Sequence, residues 1–258
     1  ENRTTSYQYD TQGRLTRITY PESNQVRFTY DARGNVTETR AVAKSGSGLS
    51  DIVTIASYDA TCTNPAKCNS PNWTRDAKAN QTDYSYDPTT GNLLTVALPV
   101  AISGGTRLVT TYDYSLVSGV SMLSGISACQ SSASCVGTAD ETKTSIAYNA
   151  NGLPITVTEA SGNGGLASTT TLGYDGAGNK ISVDGPIAGA NDTTNYRYNA
   201  GRELTGVIAP DPDGVGVRNR TAMRNTYDVK GRLALVETGV VVDASEAAWS
   251  GFTPKQQI

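Results

Sequence analysis

The fold is decided by a short stretch near the start, Tyr9-Asp10-Thr11-Gln12-Gly13-Arg14-Leu15, which returns as Tyr30-Asp31-Ala32-Arg33-Gly34-Asn35-Val36. Further copies are Tyr86-Asp87 with Gly91-Asn92-Leu93, Tyr148-Asn149 with Gly152-Leu153, and Tyr174-Asp175 with Gly178-Asn179-Lys180. Tyr198-Asn199 leads to Gly201-Arg202, one residue short, and Tyr227-Asp228 leads to Gly231-Arg232-Leu233. Two degenerate copies, Tyr58-Asp59 and Tyr112-Asp113, lack the glycine. A unit of roughly 20 residues with variable insertions is the mark of a repeat array.

Each unit reads as a β-hairpin. A bulky residue stands two positions before the key tyrosine, as in Tyr7/Tyr9, Phe28/Tyr30, Tyr84/Tyr86, Ile146/Tyr148, Leu172/Tyr174 and Tyr196/Tyr198. Positions i and i+2 share one face of a strand. The Asp or Asn after the tyrosine closes an Asx-turn on backbone N–H groups. The glycine supplies the positive φ of a tight corner. The β-prone stretch that follows, such as Leu15-Thr16-Arg17-Ile18-Thr19-Tyr20, is the return strand. An isolated hairpin is marginal in water. Neighbouring hairpins must therefore pair, which predicts a long antiparallel, twisting sheet with one tyrosine-rich face. The fold class is all-β, with almost no helix; the one helical candidate is Asp243 to Trp249, where Asp243 and Glu246 form a capping-box pattern. Residues 40–57, 115–143, 161–171 and 211–217 read as loop insertions. The repeat resumes after each, so residues 1–258 read as one array of about nine units, two of them degenerate.

Composition narrows the chemistry. There is no histidine, which removes Ser-His-Asp and Cys-His nucleophiles and His-ligated zinc. Tyrosine numbers 14 against 2 Phe and 2 Trp, which suits a surface half packed and half wet, where the hydroxyl finds a partner. Net charge is −3, from 21 Lys+Arg and 24 Asp+Glu, which speaks against an electrostatically driven nucleic-acid binder. No apolar run nears the roughly 18 residues of a membrane helix. The sequence opens at Glu1 without a methionine and reads as a piece of something longer.

Tyr-Asp-x-x-Gly-Arg/Asn-Leu/Val, recurring in register from Tyr7 to about Val242, resembles the Rhs/YD-repeat family. That family includes bacterial Rhs polymorphic toxins, the shell subunits of insecticidal toxin complexes, and the extracellular part of teneurins. The stretch Cys62 to Cys68 followed by Trp73-Thr74-Arg75-Asp76 and Thr82 to Asp87 is similar to bacterial Rhs proteins in particular. The resemblance implies a β-sheet that spirals into a hollow shell around a C-terminal domain. It makes the remainder of the same Rhs protein, and that enclosed domain, the expected partners. The expected location is secreted or at the surface of a bacterium. The chain is far too short to close a shell, and it lacks the self-cleaving core segment and the toxin domain.

Four cysteines form two equally spaced pairs, Cys62/Cys68 and Cys129/Cys135. Zinc ligand pairs are usually separated by two to four residues and these by five, so the reading is two local disulfides pinning two insertions, with zinc or free thiols as alternatives. The carboxylates Asp10, Asp31, Asp87, Asp175 and Asp228 recur from corner to corner, whereas a catalytic pair occurs once; they read as turn formers. Asp211-Pro212-Asp213-Gly214 lacks calcium-loop spacing, and Gly162 to Gly165 lacks the Lys-Ser/Thr ending of a phosphate loop. Arg14, Arg27, Arg40, Arg197, Arg202, Arg218 and Arg232 among the tyrosines read as cross-strand partners. Trp73 and Trp249 read as anchors rather than sugar platforms, and the Asn-x-Ser/Thr triplets as composition.

The expectation is a non-catalytic structural segment of shell wall, with no catalytic residue, metal or cofactor. An extracellular protein- or glycan-binding module using the loops is the alternative, and a hydrolase on a β-scaffold a third. A truncated array also exposes strand edges, which predicts edge-to-edge self-association.

Overall fold

A computed structural model describes residues 3–102, 104–189, 191–214, 216–242, 249 and 251–257. These residues form strands and turns with no helix among them. The strands are β1 (Ser6–Tyr9), β2 (Leu15–Thr19), β3 (Gln25–Tyr30), β4 (Val36–Val42), β5 (Ile52–Ser57), β6 (Trp73–Arg75), β7 (Gln81–Tyr86), β8 (Leu93–Ala97), β9 (Val109–Val117) and β10 (Val120–Cys129). They continue as β11 (Glu141–Tyr148), β12 (Pro154–Ser161), β13 (Ala167–Tyr174), β14 (Lys180–Asp184), β15 (Thr194–Tyr198), β16 (Leu204–Ile208), β17 (Arg220–Tyr227), β18 (Leu233–Val241) and β19 (Thr253–Gln257). Of the helical candidate Asp243 to Trp249, residues 243–248 lie outside the described residues, and Trp249 is not helical.

The chain divides into two compact units, Glu1–Asp113 with Ile126–Thr142, and Tyr114–Gly125 with Lys143–Ile258. In the first, β1 to β9 each pair antiparallel with the next strand. In the second, β12 to β19 do the same.

Within the first unit the register sorts residues onto two faces. Tyr7, Ile18, Val26, Ala41 and Ile52 stand opposite one another in a row. Their immediate neighbours Gln8, Arg17, Arg27, Arg40 and Val53 form the parallel row on the other face. Most strand residues in both units are only half-buried. The dry cluster lies in the second unit, where Ile208, Ala222, Val241 and Phe252 are buried and Trp249 packs on them. Trp249 and Phe252 meet edge to face with ring centroids 5.5 Å apart, and the Arg224 guanidinium lies 4.5 Å over the Phe252 ring. Arg224 in turn pairs with the buried Glu237 at 2.7 Å.

Strands claim most of two presumed insertions. Residues 115–143 contain the end of β9, all of β10 and the start of β11, leaving a turn at 118–119 and a loop at 130–140. Residues 161–171 are a tight turn at 162–166 flanked by β12 and β13. Ser- and Ala-rich composition suits a loop, but a stretch such as Val120-Ser121-Met122-Leu123, mixing small polar with β-branched and bulky apolar residues, suits a half-buried strand equally well. Tyr112-Asp113 sits inside β9 and closes no corner.

Candidate functional site

The recurring feature is the corner between the two strands of each Tyr-Asp hairpin. At the first, the Gly13 N–H donates to the Asp10 carbonyl at 3.1 Å, and the Asp10 N–H donates to the Arg14 carbonyl at 2.9 Å. Gly13 has φ +78°, in the left-handed region that only glycine enters without strain. The extra residue shifts the strand register at the tyrosine, so Tyr9 faces Leu15. The same shift occurs at Tyr30, Tyr86, Tyr174, Tyr198 and Tyr227. Gly34, Gly91, Gly152, Gly178 and Gly231 all have positive φ.

The aspartate side chain completes the corner. Asp10 Oδ1 accepts the Gln12 and Arg14 backbone N–H groups, and Oδ2 accepts Arg14 Nε at 2.6 Å. Asp31 does likewise with Arg33, Asn35 and the Asn35 amide. Asp175 with Asn179, and Asp228 with Arg232, repeat the pattern. At these four corners the Arg or Asn after the glycine, four positions from the aspartate, supplies the donor for the second carboxylate oxygen. The Asp87 corner is one residue longer, and its carboxylate is bonded by Thr89 and Thr90 instead. Where the corner residue is Asn199, the polarity inverts: its amide donates to Glu203 Oε2 at 2.6 Å.

Two corners correct the sequence reading. Gly201 is not the left-handed residue of its copy; Arg202 is, with φ +64°, and its N–H donates to the Asn199 carbonyl at 2.9 Å. The hydrogen bond closes at three residues after Asn199 whatever stands there, so the motif is not one residue short. Arg202 Nε also reaches Asn179 Oδ1 of the preceding copy at 2.8 Å, which holds the strained residue in place. A corner without tyrosine lies at Asp76. It accepts Lys78 and Asn80 N–H groups and the Asn80 amide, with Ala79 at φ +63°. The Asp-x-x-x-Asn spacing is visible in the sequence, but a search keyed on tyrosine and glycine passes over it.

Tyrosines tie one hairpin to the one before. Tyr30 Oη donates to the Leu15 carbonyl at 2.7 Å, Tyr148 to Leu123 at 2.6 Å and Tyr227 to Leu204 at 2.9 Å. Arg14 answers from the earlier hairpin, with its guanidinium 4.8 Å over the Tyr30 ring and Nη1 donating to the Asp31 carbonyl at 3.0 Å. Tyr174 and Tyr198 are half-buried, and Tyr9 is exposed.

Tyr86 finds its acceptor elsewhere. Its hydroxyl donates to the Pro71 carbonyl at 3.1 Å, inside the insertion between β5 and β6. The Cys62–Cys68 disulfide spans this insertion. Lys67 bridges Asn72 and Asp59 and lies 5.7 Å over the Tyr86 ring. The insertion thus serves as a substitute hairpin for the Tyr86 clamp. The second disulfide, Cys129–Cys135, closes the loop beside Asp140. Asp140 lies close to both sulfurs, but a bonded pair offers no thiolate to a metal. Hydrogen bonds from Ser131 and Ser132 lower its pKa to about 2. Asp211, from the calcium-like stretch, pairs with Arg220 at 3.2 Å.

The corner carboxylates are held below their ordinary pKa. Asp10 and Asp228 owe this first to the backbone N–H of Arg14 and Arg232, and Asp175 first to the Asn179 amide. At Asp31 burial pushes upward, and the bonds from Asn35 outweigh it. A carboxyl whose folded pKa is depressed stabilises the fold above its unfolded pKa and loses that contribution as pH falls through the folded value. Amide protection at the Asp10, Asp31, Asp175 and Asp228 corners should therefore drop below about pH 4, where free aspartate titrates. The Asn149 corner, built on a neutral amide, should keep its protection. Hydrogen exchange of the corner amides at about pH 5 and about pH 2.5 checks this; equal loss at all corners would contradict it.

The comparisons with known proteins agree with this geometry. The RHS Repeat family model matches residues 1–25 and 9–44. No curated protein sequence matches the chain. The fold is similar to the crystal structure of TcdB2-TccC3-Cdc42, at 16% identity and TM-score 0.54, over 95% of this chain and 14% of that one. It is similar to TcdB2-TccC3-TEV at 17% identity and TM-score 0.55, over 93% of this chain and 14% of that one. The Photorhabdus luminescens Tc holotoxin pore gives 17% identity and TM-score 0.52 over the same shares, 93% and 14%. The chain thus spans about one seventh of those chains, and the likeness is one of fold. The matched repeat lies within residues 1–44, and the repeated corners and the shared fold extend the likeness to Rhs-repeat proteins along the rest of the chain.

Proposed function

We propose that the chain is a non-catalytic stretch of wall in a larger Rhs/YD-repeat shell, one array whose work is mechanical: to enclose or present a cargo such as a toxin domain. The carrying observation is the clamp from one hairpin to the one before, made at three of the corners, where Tyr30, Tyr148 and Tyr227 bond to backbone carbonyls of the preceding unit. A backbone acceptor makes the clamp independent of the neighbour's side chain, so units can be added without redesign. The corner aspartates are spent on their own turns, which suits geometry rather than catalysis. Two disulfides suit an oxidising, secreted or surface location. The partners are then the rest of the same polypeptide and the domain it surrounds.

Limited proteolysis of the full-length protein tests this. The enclosed segment should resist protease in the wild type and become cleavable in Tyr30→Ala/Tyr148→Ala, while circular dichroism shows β-structure retained. A segment cleaved equally fast in both proteins would overturn the reading, as would turnover of a substrate by this chain alone.

A further inference from the structure

Three arginines stand directly opposite one another on β2, β3 and β4: Arg17 faces Arg27, and Arg27 faces Arg40. Like charges placed opposite across a strand pair destabilise a sheet. On a chain of net charge −3, such a row needs a compensating gain. The row is filled at one end only. Arg40 holds two carboxylates of its own chain, Glu38 Oε1 at 2.8 Å and Asp51 Oδ2 at 3.1 Å. Asp51 is itself anchored by the Ala43 N–H at 2.8 Å. Arg27 hydrogen-bonds the neutral Gln25 Oε1, at 3.1 and 2.9 Å, and feels Asp51 only through space, with no salt bridge among the described residues. Arg17 has no ion pair among the described residues, and its Nε is buried without a hydrogen-bond partner. Gln8, opposite Arg17 on β1, ends the row with a neutral side chain.

We propose that Arg17 and Arg27 form a docking site for an acidic peptide segment, whose carboxylates take the places that Glu38 and Asp51 take at Arg40. The filled position shows which ligand the row accepts, since guanidinium and carboxylate meet there from two directions. Neighbouring strands lie about 4.8 Å apart, and alternate side chains of an extended peptide about 6.6 Å apart. Long arginine side chains bridge that difference, so a peptide crossing the strands with acidic residues on one side can meet both guanidiniums. Charge-assisted bonds of this kind are roughly twice as strong as neutral ones. The site faces away from the row of Tyr7, Ile18 and Val26, and it does not depend on the wall reading.

The test is fluorescence anisotropy of a labelled hexaglutamate peptide titrated with the chain at low salt, with hexaglutamine as control. Hexaglutamate should bind and hexaglutamine should not. Arg17→Gln/Arg27→Gln should weaken binding by about tenfold or more, and Arg17→Lys/Arg27→Lys, which keeps charge but not the planar fork, by less. The Gln variant removes like-charge repulsion, so it should melt no lower than the wild type. Equal binding of both peptides, unchanged affinity in the Gln variant, or displacement of the peptide by an equal concentration of inorganic phosphate would each overturn the proposal.

Discussion

Gly91→Ala destabilises the protein by about 2–5 kcal/mol, whereas Gly13→Ala costs only about 1 kcal/mol, although both glycines donate their N–H to the carbonyl of the corner aspartate, Gly91 from one residue further along. Both sit in the left-handed region, at φ +75° and +78°. A non-glycine residue there costs roughly 1–2 kcal/mol, partly offset by the reduced freedom of the unfolded chain. Gly13 has nothing within 4 Å of where a Cβ would stand, so backbone strain is its whole cost. At Gly91 the Cβ would enter the Ala66 carbonyl of the disulfide-pinned insertion. Backbone cannot rotate away as a side chain can, and overpacking of this kind adds roughly 1–3 kcal/mol. Urea melts of the two variants give the comparison. Opening the insertion with Cys62→Ser/Cys68→Ser should bring the cost of Gly91→Ala down toward that of Gly13→Ala. Equal costs at Gly91 and Gly13 would show that the insertion does not press on this corner.

The second large effect concerns Gly206 and Trp249. A Cβ at Gly206 would penetrate the Trp249 indole, so Gly206→Ala expels the ring from its seat over Ile208, Ala222, Val241 and Phe252. Replacing a buried tryptophan by alanine costs roughly 3–5 kcal/mol; Trp249 is half-buried, and about 2–3 kcal/mol is expected for Trp249→Ala. Gly206→Ala should cost a similar amount for the same reason. The double variant should cost little more than either alone, because the ring can be lost only once, giving a coupling of about 1–3 kcal/mol. Additive losses would mean that the indole does not rest on Gly206. Indole fluorescence gives an independent check, with a red shift in Gly206→Ala as Trp249 becomes wet.

The two sites differ in how they could be read beforehand. The corner chemistry was legible because it is local: a carboxylate, two backbone N–H groups and a donor side chain lie within five residues, and spacing alone brings them together. Even so, Arg202 and Ala79 show that the left-handed position is defined by the hydrogen bond, not by glycine. The clamps were not legible. Tyr30 bonds to Leu15 and Tyr148 to Leu123, over separations set by insertion lengths, and the acceptors are carbonyls that every residue carries.

From the sequence alone came the all-β repeat, the hairpin unit and the place of its corners, since these follow from side-chain period and from turns closed within a few residues. Tertiary pairing decided the rest. Only the register sets Arg17, Arg27 and Arg40 in line, and only folding lays an insertion under Gly91 and an indole over Gly206. Each of these contacts joins residues whose separation along the chain carries no signal, and a shift of one residue in pairing would turn every side chain of a strand to the other face.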